Sequence, residues 1–86
     1  MISKSQALAI AERLIKAEAL GIGADEALLL TELSFRAPTV YGVDLSNCWI
    51  VYVRQPLLVG LRSSIIVAID RVTGSVIYRG AANDEG

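Results

Sequence analysis

The 86-residue chain contains no histidine. That removes the commonest general base and the commonest metal ligand. It has one cysteine, Cys48, so no internal disulfide can form and no zinc pattern of Cys and His exists. A single thiol in an apolar stretch reads as a buried structural residue, and it suits a reducing cytoplasm. No run of about 18 apolar residues occurs, so no transmembrane helix is expected. The opening Met1–Gln6, followed by Glu12, Arg13 and Lys16, does not read as a signal peptide. The eight Lys and Arg are scattered and the net charge is −1. This is not the basic footprint of a nucleic-acid binder.

Catalytic constellations are missing too. Gly21-Ile22-Gly23 follows a helical pattern, lacks the remaining glycines of a dinucleotide loop, and lacks the Lys-Ser of a phosphate loop. Asp25, Glu26, Glu32, Asp44 and Asp70 are not spaced as an acid–base pair, and no calcium-loop spacing is present. The expectation is therefore no enzyme, no metal and no cofactor; the alternative is a small ligand-binding protein or enzyme, which would need a deep pocket with convergent polar groups.

What is present is apolar surface. Apolar residues make up 53% of the chain, rich for a protein whose interior is small. Some of that surface is expected to meet a partner or a second copy.

The organisation follows from hydrophobic period. Ser3 and Gln6 have capping-box spacing. Ala7, Leu8, Ile10, Ala11, Leu14, Ile15 and Ala19 then recur at helical spacing, with Ser5, Glu12, Arg13 and Lys16 on the other side. Glu12 and Lys16 are an i,i+4 pair in the favourable order. Leu20-Gly21 reads as a helix end with a left-handed glycine. The spacing predicts a helix over 4–20 and a loop or turn over 21–26. A strand is expected over 28–36, because Leu33 and Phe35 alternate with Glu32, Ser34 and Arg36; its first part is also compatible with helix from Asp25. Cys48-Trp49-Ile50-Val51-Tyr52-Val53-Arg54 has strong strand character, giving a strand over 48–55 before Pro56. The near-continuous apolar run of 64–70 predicts a central strand, buried on both faces. Asp70-Arg71-Val72-Thr73-Gly74 reads as a hairpin turn, with Asp70 accepting backbone hydrogen bonds and Gly74 at positive φ. A returning strand follows over 75–79, and 80–86 reads as a fraying tail. The sum is one α+β domain spanning 1–86, with an N-terminal helix packed on a three- to four-stranded antiparallel sheet.

Two features point to binding. Trp49 and Tyr52 lie an odd number of residues apart, so a strand sends them to opposite faces. Each is either core or interface. Leu57, Leu58, Val59 and Leu61 follow Pro56, where a polar loop would be ordinary. They either extend the flanking strands or form an exposed apolar lip. The lip or the strand edge suits a twofold contact, so a homodimer is expected.

Ile2-Ser3-Lys4-Ser5-Gln6-Ala7-Leu8-Ala9-Ile10-Ala11 resembles the opening helix of PepSY domains. Ile66-Val67-Ala68-Ile69-Asp70-Arg71-Val72-Thr73-Gly74-Ser75-Val76 resembles their closing hairpin. With Trp49-Ile50-Val51-Tyr52 between them, the same blocks are similar to small bacterial immunity proteins of polymorphic toxin systems. The resemblance spans about half the chain, and its motifs are structural ones. It implies a cystatin-like or PepSY-like arrangement of helix and curved sheet. It also implies a non-catalytic role, restraining a peptidase or neutralising a toxin, with no catalytic residue to carry over. The expected partner is thus another protein, not a nucleic acid or a membrane.

Overall fold

The computed structural model describes residues 1–29, 32, 40, 42–55 and 65–81. They form helix α1 (Lys4–Glu18) and four strands: β1 (Gly23–Leu28), β2 (Cys48–Arg54), β3 (Ile65–Asp70) and β4 (Val76–Ala81). The sheet is antiparallel throughout, in the order β1-β2-β3-β4. Helix α1 packs on one of its faces. The α+β class expected from the hydrophobic periods is the one observed.

α1 starts where its capping chemistry lies. Ser3 Oγ accepts from the Gln6 amide at 3.1 Å, and Gln6 Oε1 accepts from the Ser3 amide at 2.7 Å. Such a cap contributes about 1 kcal/mol. Ala7, Ala11 and Ile15 are fully buried at four-residue spacing. The two alanines let the helix axis approach the sheet closely, and Ile15 supplies the bulk. Burying that isoleucine alone is worth roughly 1.5–3 kcal/mol.

Two β-bulges decide which side chains reach the helix. On β1, Ala24 lies opposite Val53 and Ala27 opposite Val51, so β1 carries one residue more than β2 between these pairs. The extra residue turns both alanines toward α1 and leaves Asp25 and Glu26 in solvent. On β4, Val76 lies opposite Ile69 and Tyr78 opposite Ala68. Ile77 is the additional residue, and it is exposed. Val76 therefore packs toward the helix and Tyr78 toward the opposite face, although two residues apart.

The sheet is apolar on both faces. Val51, Val53, Val67 and Ile69 meet α1. On the other side Cys48, Ile50, Ile66 and Ala68 form a second cluster with Leu45, covered in part by Val40, Val43, Tyr52 and Tyr78. β3 is an inner strand whose Ile66, Val67, Ala68 and Ile69 are all fully buried, as its continuous apolar run requires.

Several expectations are corrected. The first strand described is Gly23–Leu28, which begins ahead of the expected 28–36. It lies largely in the segment read as a loop, because the bulge interrupts the period-two pattern there. Of the expected strand, Leu28 ends β1. Glu32 instead sits in a turn, its amide donating to Leu29 O at 2.9 Å and its carboxylate accepting from the Leu29 amide at 3.0 Å. Positions 30, 31 and 33–36 lie outside the described residues. The helix ends at Glu18, and its left-handed residue is Ala19, at φ 52° and ψ 45°, not Gly21. Ala19 is exposed. Glu12 does not pair with Lys16; its carboxylate accepts from the Ala24 amide at 2.7 Å and ties the helix to β1. A buried-side amide is a better partner than a solvated ammonium. The last strand begins at Val76 and runs on to Ala81, so positions 80 and 81 belong to the sheet.

Candidate partner-binding surface

Trp49 is set by β2 opposite Ile69, on the helix-bearing face near the β3–β4 turn. It is half-buried. Its ring packs against the helical core, and its indole Nε1 donates to the Ile2 carbonyl at 3.2 Å. Ile2 is itself held: its amide donates to Arg71 O at 2.8 Å, and the Arg71 amide donates to Asn47 O at 3.1 Å. The residues before α1 thus lie along the hairpin turn and bring three chain segments to one end of the sheet.

Two cations converge on this tryptophan. Lys4 Nζ lies 5.9 Å from the ring centroid and Arg71 Cζ lies 5.8 Å from it, within the reach of cation–π attraction. Among the described residues neither cation is in an ion pair, whereas Arg54 pairs with Asp25 and Arg79 with Glu18. Val72, next to Arg71 in the chain, is 55% exposed and Met1, next to Ile2, is 85% exposed, two of the most exposed large apolar side chains described. One end of the molecule therefore combines an aromatic ring, two unpaired cations and free aliphatic surface.

The turn that carries Arg71 and Val72 is rigidly built. Asp70 Oδ1 accepts from the amides of Val72 at 2.7 Å and Thr73 at 3.0 Å. These bonds hold the Asp70 carboxyl below the usual carboxylate range. The Gly74 amide donates to Asp70 O at 2.9 Å, and Asp70 N to Ser75 O at 2.8 Å. Gly74 has φ +79°, a left-handed conformation that glycine takes at little cost.

Tyr52 points to the opposite face, with Tyr78, at the margin of the second cluster. Tyr78 folds over Gly80 and donates its hydroxyl to Ala81 O at 2.8 Å. Trp49 and Tyr52 therefore do not share a surface. Leu57, Leu58, Val59 and Leu61 lie outside the described residues, so the twofold contact expected of them has no structural description; the other expected route, the edge of the second strand, is corrected, because β2 is paired by β1 on one side and β3 on the other. Cys48 is buried in the second cluster. Burial, followed by the nearby Asp70 and Asp44 charges, pushes its thiol up, so it stays protonated and unreactive near neutral pH. Asp44 accepts from the Ser46 hydroxyl at 2.6 Å and amide at 2.9 Å, which lowers its carboxyl and closes a local turn. Among the described residues no three His, Cys, Asp or Glu side chains gather as metal ligands. No helix among them is long and apolar enough to cross a membrane.

Sequence reasoning singled out Trp49 but missed Lys4, Arg71, Val72 and Met1 as its neighbours. Each looked local: a helix start, a turn, a chain end. The hydrogen bonds from Ile2 to Arg71 and from Trp49 to Ile2 bring these segments together. No protein-family model matches the chain, and searches of curated proteins and of solved structures return no match.

Proposed function

We propose that the chain is a small, non-catalytic protein-binding module that acts in the cytoplasm, of the kind that restrains a peptidase or neutralises a toxin. One observation carries this reading: the half-buried Trp49, with Arg71 and Lys4 over its ring and with Val72 and Met1, the chain neighbours of Arg71 and Ile2, exposed. Tryptophan and arginine are the residue types that most often dominate protein interfaces. They do so where a rigid apolar anchor is ringed by polar groups. Trp49 is anchored by its bond to Ile2, so little side-chain entropy remains to be lost on docking. The resemblance of the helix and hairpin to PepSY domains and to toxin-immunity proteins supports the same class of role.

The test is affinity capture from the source cells with the wild-type chain and with Val72→Asp. Captured proteins are identified by mass spectrometry and rebound in purified form. Val72 is a solvent-facing turn residue, so its variant should keep the wild-type melting temperature. A partner that binds the wild type and is lost with Val72→Asp is the expected result. A partner that binds both equally would move the interface elsewhere, and binding by neither would remove the reading.

A further inference from the structure

We infer that the occupant of the Trp49 end is an acidic peptide segment of the partner, one that presents carboxylates on either side of an apolar side chain. This deepens the proposed function and rests on it.

The argument is one of charge placement. Lys4 is the first residue of α1, where the helix dipole disfavours a cation and favours an acid. The first turn of α1 contains no acidic residue. Arg71 is brought to the same ring from the hairpin. Two like charges that converge on one site repel each other, and the ring quadrupole offsets only part of that cost. Arg54 and Arg79, by contrast, each have a carboxylate of this chain within reach. The one carboxylate adjoining Arg71 in sequence is Asp70, and its Oδ1 is turned to the amides of Val72 and Thr73. The charge that would balance Lys4 and Arg71 is thus not supplied by the described part of this chain. The chain as a whole carries −1, so general attraction for polyanions is weak. Arg13 and Lys16 also lie outside the two ion pairs, but among the described residues Trp49 is the ring over which two cations are recorded, and that is where an anion would meet both charge and apolar surface. Val72 and Met1 add aliphatic surface that a bare inorganic anion or a phosphate backbone would leave uncovered. A segment with carboxylates around one leucine or phenylalanine satisfies both demands.

Trp49 is the single tryptophan, so its fluorescence reports directly on the site. The experiment titrates the intact chain with three synthetic octapeptides built around one leucine, with glutamate, glutamine or lysine at the other positions. An oligothymidylate is run in parallel. The expected result is a saturable change in Trp49 emission with the glutamate peptide alone. Its affinity should fall as salt rises, since the contacts are screened. The double variant Lys4→Gln, Arg71→Gln should weaken it about tenfold while retaining the wild-type thermal transition. Equal binding of the glutamine peptide would overturn the acidic assignment while keeping a protein-binding face. Tighter binding of the oligothymidylate would overturn it in favour of nucleic acid. No response to any peptide, with Trp49 and the fold intact, would overturn the inference, while the proposed function stands or falls by the capture experiment.

Discussion

Left-handed residues stand at the end of α1 and in the β3–β4 hairpin, and these two turns are built by different means. At the β3–β4 hairpin the turn is local. Asp70 binds two amides within three residues of itself, and a glycine occupies the left-handed position. At the end of α1 the left-handed residue is an alanine; the Ala19 and Leu20 amides donate back to Ile15 O, and the turn is further tied from outside. Gln55 Nε2 donates to Leu20 O at 2.8 Å, the Ile22 amide donates to Arg54 O at 2.9 Å, and Glu12 receives the Ala24 amide. The hairpin's conformation is set chiefly by its own residues, with Ile2 and Asn47 bound to Arg71 from outside. The helix end is specified by β2 and by α1, and it forms only when the sheet does. A left-handed alanine costs roughly 1–2 kcal/mol, and the tertiary bonds offset it.

Gly21 is the sharpest way to break this contrast. It has no positive φ, yet a Cβ there would meet Arg54 O at 2.5 Å and Val53 Cγ1 at 2.6 Å. A backbone carbonyl in a strand cannot step aside without disturbing the β1–β2 pairing. Gly21→Ala should therefore cost about 1–3 kcal/mol in denaturant unfolding. A variant as stable as the wild type would mean that β2 does not hold this turn. A paired exchange sharpens the comparison next. Gly74→Ala should cost about 1 kcal/mol for conformation alone, since its Cβ would find Ile2 Cγ2 at 3.4 Å and Ile10 Cδ1 at 3.6 Å, ordinary distances. Ala19→Gly should do the reverse and stabilise by about half a kcal/mol, relief of strain less the added freedom of the unfolded chain. Loss of stability in both variants would refute the left-handed assignment at Ala19.

The smallest expected effect is the pH response of the hairpin. The Asp70 carboxyl is lowered in the folded chain, first by its bond from Thr73 and then by that from Val72. The ionised form is thus favoured by folding. The stabilisation it brings is complete above the unfolded value of about 4 and is lost as pH falls through the lower folded value. Asp70→Asn should flatten the acid limb of a melting-temperature profile below about pH 4 and leave its slope at neutral pH unchanged. An unaltered acid limb would show that the Asp70 bonds do not persist in solution.

The same contrast explains what the sequence disclosed. The hairpin was legible because Asp70, Thr73 and Gly74 are chemically suited to their own positions. The start of α1 was legible for the same reason, through Ser3 and Gln6. β3 announced itself by an unbroken apolar run. β1 did not, because Asp25 and Glu26 sit on a bulge and Gly21 and Gly23 stand at its start; its strand character comes from pairing with β2. The Trp49 surface was half legible. The aromatic residue stands out in any reading, and the odd spacing to Tyr52 does separate the two rings. Lys4 and Arg71 reach it only through the path of the chain before α1, which no local pattern encodes.

The strand order carries a kinetic consequence. Each strand pairs with its neighbour in sequence, but the connections lengthen toward the N-terminus: five residues (71–75) join β3 to β4, ten (55–64) join β2 to β3, and nineteen (29–47) join β1 to β2. Each step is about a doubling, and each doubling adds roughly 0.6 kcal/mol to the entropy of closing the loop. The β3–β4 hairpin is therefore the cheapest piece to form, β2 adds to a template already made, and β1 comes last among the strands. Trp49 gains its bond to Ile2, 47 positions away in the chain, only when the residues ahead of α1 have come to rest along the hairpin. In a refolding experiment its emission would time the closing of the whole molecule, not the birth of the sheet.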